Sequence, residues 1–280
     1  MTRNIFDLVK SGLKISSAPD IYIKLTKLID NPRGSYSDMA GIIARDTALS
    51  ARLLKIANSS FYNFPSKIDT ISQAITIIGT QQLSDLVLAT SVLKTFRKIP
   101  KDLVSMESFW RHSIACGLAA RTIAVYRREP NVERFYIAGL LHEIGRLVIF
   151  ENLPDLARET IKIHESEHKF LHHAEQEVLG FDHAAVGGAV LREWRLPDNL
   201  VEPVAFHHQP LEARNCPIEA AIVHFSDILA CAMQLGTSRE CYVPPVEPKV
   251  WDKIHLPVGQ LEAVWNQVDK TFNETIEFFL

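Results

Sequence analysis

Five histidines and two carboxylates in the second half of the chain carry the residue types that metal chemistry needs: His112, the pair His142-Glu143, His183, the doublet His207-His208, and Asp227. Imidazole and carboxylate ligands suit zinc, manganese, iron or magnesium, and a cluster that mixes them can hold one or two ions that activate water for attack on phosphate esters. These residues lie tens of positions apart, so only folding can bring them together. Taken singly, each has a plainer reading. His112, beside Trp110 and ahead of an Ala-rich stretch, would more often be a helix-surface or capped core histidine. His142-Glu143 interrupts an otherwise apolar helix, Ile137 to Phe150, where two ionisable groups need partners or a metal to offset desolvation. Asp182 can cap a helix that His183 begins, and Gly187-Gly188 would let another helix come close. His207 and His208 diverge by about 100° on a helix, so they share a site only in a groove or at a helix end, which Pro210 provides. Asp227 is the lone carboxylate of the apolar run Val223 to Leu229.

A rival cluster, His164, His168, His172 and His173, has spacings of four that put its first three members on one helical face. Glu165, Glu167, Glu175 and Glu177 surround it, and the reading favoured is a solvated polar face. Cys116, Cys216, Cys231 and Cys241 show no CxxC pair or zinc-ribbon spacing and read as reduced, mostly buried thiols. The formal net charge of -3 and the scatter of basic residues disfavour nucleic acid as a partner. The densest basic spots, Arg127-Arg128 and Arg97-Lys98-Lys101, read as solvated helix ends. No membrane span is expected, and the start, Met1 to Asp7, lacks the apolar stretch of a signal peptide, so the expected location is cytoplasmic.

With 280 residues, 47% of them hydrophobic, the chain can bury a sizeable core, and its apolar spacing is that of helices almost throughout. The fold class read from it is all-α, an N-terminal helical bundle over residues 1–100 followed by a second helical domain over 101–280. In the bundle, apolar repeats at Ile21 to Ile29, Ile42-Ile43, Leu49 to Ile56, Ile71 to Ile78 and Leu83 to Val92 mark helices. Ser37 or Asp38 and then Thr70 serve as caps, and Gly79 as a stop. Beyond a polar junction at Arg97 to Ser108, helices are expected over residues 110–126, 132–150, 154–179, 184–194, 199–208 and 218–235. A Pro-rich loop from Val243 to Pro248 leads to a last amphipathic helix carrying Leu261, Val264, Val268 and Phe272, read as docking on the domain body rather than as a partner-binding tail.

Two stretches of the first half, Arg45-Asp46-Thr47-Ala48-Leu49-Ser50-Ala51-Arg52-Leu53-Leu54-Lys55-Ile56-Ala57-Asn58-Ser59 and Ile68 through Gly79, are specific enough to name a family. Together with Phe109-Trp110-Arg111-His112, Gly139-Leu140-Leu141-His142-Glu143-Ile144-Gly145, Gly180-Phe181-Asp182-His183, Trp194-Arg195-Leu196-Pro197 and His207-His208-Gln209-Pro210, they make the chain resemble the HDOD family over nearly its whole length. This is the HD-related output domain of bacterial signalling proteins. The resemblance implies an HD-like second domain, a role in signal transduction or regulation, and signalling proteins as partners. It also aligns His112, His142, Glu143, His183, His207, His208 and Asp227 with the metal ligands of HD enzymes, so a divalent metal is the implied cofactor. Glu143 departs from the defining His-Asp doublet, and one added methylene lengthens the arm by ~1.5 Å. A misplacement of about 1 Å can cost roughly 10²-fold in rate, so metal binding should survive better than catalysis. The related cyclic-dinucleotide phosphodiesterases carry Gly-Tyr-Pro after the doublet, whereas Gln209-Pro210-Leu211-Glu212 stands here, which disfavours that hydrolysis and leaves room for a bound, uncleaved nucleotide. The expectation is a non-catalytic module acting through separate partners; the alternative is a metal-dependent phosphohydrolase.

Overall fold

The computed structural model describes residues 17–59, 62, 64–93, 95–96 and 99–279; the start Met1 to Asp7 and the basic pair Arg97-Lys98 lie outside the described residues. Among the described residues there is no strand, and no helix is long and apolar enough to cross a membrane. The chain is all-α. It divides into two compact units, Ser16–Phe96 with Asp269–Leu280, and a larger one built around Arg97–Val268.

The first unit contains α1 (Asp20–Ile29), α2 (Tyr36–Ala44), α3 (Thr47–Ala57), α4 (Ile71–Ile78) and α5 (Thr80–Val92). Their starts follow local chemistry. The Ser35 hydroxyl accepts from Asp38 N at 3.1 Å while the Asp38 carboxylate accepts from Ser35 N at 3.2 Å, a reciprocal cap that begins α2 before the Ser37 or Asp38 expected from sequence. Thr70 and Gln73 repeat the arrangement on α4, and Gly79 ends that helix with φ +103°. Leu25, Ile43, Leu53, Ile56, Ile75 and Leu86 fill the centre of the unit.

The larger unit holds α6 (Met106–Tyr126), α7 (Glu133–Leu141), α8 (Ile144–Asn152), α9 (Pro154–Glu167), α10 (Leu171–Leu179), α11 (His183–Glu193), α12 (Asp198–Ala205), α13 (Pro217–Met233) and α14 (Pro248–Ile254). The last helix, α15 (Leu261–Phe279), buries Val264, Val268 and Phe272 along one face. Helix α6 packs on α7 and α13, α12 on α7 and α13, and α11 on α8 and α12. At the α8–α11 crossing the backbones nearly touch: a Cβ on Gly145 would lie 2.0 Å from the His183 carbonyl oxygen and 2.4 Å from Gly187 N. Only glycine tolerates that approach.

Three expected helices are interrupted, each next to a histidine. The run over 132–150 is two helices, α7 and α8, with His142 and Glu143 in the turn between them. The His142 imidazole itself takes up the Gly139 carbonyl (Nδ1 to O, 2.6 Å), the acceptor a continuing helix would offer to Glu143 N. The run over 154–179 breaks at His168, which caps α9 in the left-handed conformation with φ +54°. Helix α12 stops at Ala205, so His207 and His208 stand in the following turn. Each break turns side chains out of the ladder of their own helix and towards neighbouring helices.

Candidate metal centre

The structure brings His112, His142, Glu143, His183, His207, His208 and Asp227 together inside the larger unit. His112 comes from the first turns of α6, the pair from the α7–α8 turn, His183 from the first residue of α11, the doublet from the turn after α12, and Asp227 from the middle of α13. Asp182 caps α11 by accepting from Ala185 N at 2.8 Å, which fixes where His183 leaves the helix. The cluster has two halves. In one, Asp227 Oδ1 lies 3.1 Å from His112 Nε2 and 3.5 Å from His142 Nε2. In the other, His183 Nε2 lies 3.2 Å from His207 Nε2 and 3.0 Å from His208 Nε2. Glu143 spans them, with Oε1 3.8 Å from His142 Nε2 and Oε2 3.3 Å from His183 Nε2. His208 is partly exposed; the other members are buried.

Hydrogen bonds on the far side of the rings set their tautomers. His142 Nδ1 donates to Gly139 O at 2.6 Å, His207 Nδ1 to Val204 O at 2.8 Å, and His183 Nδ1 to Glu175 Oε2 at 2.5 Å. In the neutral rings the Nε2 lone pairs therefore point inward, the arrangement metal-binding histidines adopt. Lone pair facing lone pair at about 3 Å is unfavourable without a cation or proton between them. Buried His142 Nε2 and Glu143 Oε2 have no hydrogen-bond partner among the described residues. Ligands around a cation with bonds of about 2.0–2.2 Å stand roughly 3.3 Å apart in a tetrahedron. The donor set thus fits a divalent ion.

The electrostatics divide along the same line. Burial, and then the neighbouring Arg146, hold His183 well below its ordinary range; burial and the adjacent rings do the same to His207 and His208. These three are neutral and ready to ligate at pH 7. At Asp227 burial raises the carboxyl, but the His112 and His142 rings, 3.1 and 3.5 Å from Oδ1, outweigh it and hold it well below the usual carboxylate range. Burial opposes charge on His142, yet the adjacent Cys116 and Asp227 lift it well above its ordinary value. A cation entering the first half would displace that proton.

Sequence reasoning missed four contributors. Arg146 lies at the centre, 1% exposed. Its Nη1 reaches Glu143 Oε1 at 2.9 Å and Ser238 Oγ at 2.6 Å, its Nε reaches Glu175 Oε1 at 3.3 Å, and its Nη2 lies 3.2 Å from His183 Nε2. The signal was present: an arginine inside the apolar run Ile144 to Phe150 is as conspicuous as the His142-Glu143 pair. Glu175 was read as solvated but is buried, accepting from Arg146 Nε and from the His183 backbone N–H (2.8 Å) and ring. Burial pushes its carboxyl up towards about 8, against the pull of Arg146. Three N–H donors converge on it. Ser238 arrives on the loop 234–243 and donates to Glu143 Oε1 at 2.8 Å, a contact without any local sequence signal. Cys231, one turn beyond Asp227, donates to Asp227 Oδ1 at 3.7 Å.

The rival histidines do not share one solvated face, because the helix ends at His168; His168 and His173 are exposed as expected, and the other two are not. His164 is fully buried and bonded to Lys169 O (2.5 Å), and His172 stacks on His208 with ring centroids 4.0 Å apart. Glu165, Glu167 and Glu177 are exposed as expected. Cys116 and Cys216 are buried, Cys231 is partly exposed and Cys241 exposed, all four as free thiols.

The domain profile named HDOD domain matches residues 15–210. A Treponema pallidum (strain Nichols) protein, named only as uncharacterised, is 24% identical over 195 residues, 69% of this chain and 37% of that relative's length. The chain therefore spans little more than a third of that relative. Among solved structures, an HDOD domain protein of unknown function from Geobacter sulfurreducens superposes with TM-score 0.76 at 23% identity, covering 99% of this chain and 97% of the other. A Shewanella amazonensis SB2B protein, provisionally named a phosphohydrolase, gives 0.76 at 21% identity with the same coverage. A Marinobacter aquaeolei VT8 protein, provisionally named a signal transduction protein, gives 0.72 at 18% identity, covering 96% of this chain and 60% of that one. At these identities the structural likeness is one of fold.

Proposed function

This chain belongs to the HDOD family, and on that premise we propose that it is a regulatory signalling module acting through protein partners, its histidine pocket being a closed cation-binding core and not a site of turnover. One observation carries the reading. The Glu143 carboxylate, which stands where an HD enzyme has its aspartate, is 2% exposed, with Oε1 held by Arg146 Nη1 and Ser238 Oγ. A carboxylate so held cannot swing to orient a water against a substrate. His112, His142 and Asp227 would hold the ion, with Glu143 Oε1 3.8 Å from His142 Nε2. When bound, the ion would supply Lewis acidity and lower the pKa of a coordinated water. A cavity of about 480 Å³ lies between Ser108, Cys231 and the loop 234–243; it is lined by Glu240 and by no lysine or arginine, which argues against a nucleotide phosphate there.

The alternative, a metal-dependent phosphohydrolase, draws support from the inward Nε2 lone pairs of His142, His183 and His207. The two readings separate in one assay. Wild type, Glu143→Asp and His142→Ala, each loaded with manganese, iron or zinc, are assayed on phosphate mono- and diesters and cyclic dinucleotides. The regulatory reading expects no metal-dependent turnover by wild type and little gain from Glu143→Asp, because a water-activating site also needs supporting hydrogen bonds and a shaped substrate pocket. Turnover by wild type that disappears in folded His142→Ala would establish the enzyme instead.

A further inference from the structure

We propose that the Arg146 guanidinium is the built-in second cation of this pocket, so that the protein holds one divalent ion, at His112, His142 and Asp227, where the donor set has room for two. The inference rests on the candidate metal centre just described, and it is independent of whether that centre turns over a substrate.

Position is the first argument. A second ion would need Glu143 as the carboxylate shared between the halves and His183 as a corner of the His183, His207, His208 triad. Arg146 engages both: Nη1 binds Glu143 Oε1 at 2.9 Å, and Nη2 lies 3.2 Å from His183 Nε2, the ring nitrogen left with a lone pair. Nε closes the arrangement on Glu175 at 3.3 Å, and the Ser238 carbonyl and hydroxyl hold Nη1 at 3.0 and 2.6 Å. The guanidinium is thus fixed from four sides. It cannot step aside by losing a proton, as a lysine could.

Charge is the second argument. Arg146 supplies a fixed positive charge between the carboxylates of Glu143 and Glu175. A second ion would add two further positive charges beside it, among groups that, His208 apart, are less than a tenth exposed, and uncompensated buried charge is strongly disfavoured. Without the guanidinium that repulsion would be absent.

The test is metal stoichiometry, by elemental analysis and titration calorimetry of tag-free protein with manganese or zinc. Wild type should bind one ion per chain, His142→Ala none, and His183→Ala still one. Arg146→Met, which keeps an unbranched flexible side chain and removes the guanidinium, should bind two. A wild-type count of two or none, loss of the ion in folded His183→Ala, or a count of one in folded Arg146→Met would overturn the inference. If Arg146→Met does not fold, the wild-type and His183→Ala counts still decide it. Turnover by wild type would sink the regulatory reading and leave this count untouched, whereas a count of two would do the reverse.

Discussion

Gly145→Ala should damage both stability and metal binding, because the α8–α11 crossing leaves no room for a methyl group. The added Cβ would lie 2.0 Å from His183 O and 2.4 Å from Gly187 N, against ordinary contacts of 3.4 Å or more, so the backbones must separate by 1.4 Å at the first point and 1.0 Å at the second. Neither neighbour is a flexible side-chain end. His183 opens α11, so the displacement carries its ring away from Glu175 (2.5 Å), His208 (3.0 Å) and His207 (3.2 Å), and a shift of that size takes each contact to the edge of hydrogen-bonding range or beyond it. Overpacking of this kind costs about 1–3 kcal/mol, and the helix preference for alanine over glycine returns about 0.5–1 kcal/mol. A net loss of about 1 kcal/mol corresponds to a fall of roughly 2–4 °C in Tm for a unit of this size. Urea and thermal unfolding followed by circular dichroism, with calorimetric metal titration on the same samples, would measure both effects. A variant as stable as wild type, with unchanged metal affinity, would refute the claim that this close approach places His183.

Gly41→Ala is the converse case: nothing lies within 4 Å of an added Cβ, so the first unit should gain about 0.4–1 kcal/mol in denaturant unfolding. Acid should destabilise the metal-free protein early. Burial holds His172, His183, His207, His208 and His224 below their ordinary range, His172 at about 3, so the unfolded chain binds more protons as pH falls below about 6.5. The stability these rings contribute is present above that pH and is lost below it, at about 1.4 kcal/mol per pH unit for each ring. Glu175 and His142, both shifted upward, work in the opposite direction, His142 only above about pH 6.5. Chemical unfolding between about pH 6.5 and 5 that shows flat or rising stability on acidification would contradict this. Glu202→Ala should cost roughly 2–3 kcal/mol, since Glu202 Oε2 accepts from Asn215 N at 2.9 Å and Cys216 N at 2.7 Å at the entry to α13; Glu202→Gln, which keeps an acceptor oxygen, should lose less in the same unfolding assay.

Much of this protein is determined locally and could be read from residue order. The apolar spacing that makes helices of residues 20–29, 47–57 and 217–233, the Thr70 and Asp182 caps, and the Gly79 stop are all consequences of neighbours in sequence. The seven candidate ligands were legible too, because a histidine or carboxylate inside an apolar run is costly unless something receives it. By the same rule Arg146 was legible, and its role was not. What receives a buried charge is a fact of tertiary structure: Glu143 and Glu175 lie 3 and 29 residues from Arg146, and Ser238 lies 92 away. The helix breaks at His142 and His168 were hidden for a related reason. Periodicity reports which face of a segment is apolar, whereas a break is decided by a side chain that competes for a backbone carbonyl, as His142 does for Gly139, and by a left-handed residue tolerated because its surroundings hold it. Residue order determined which groups had to be buried and balanced; only the packing of α6, α8, α10, α11 and α13 with the loop 234–243 decided which of them balance one another.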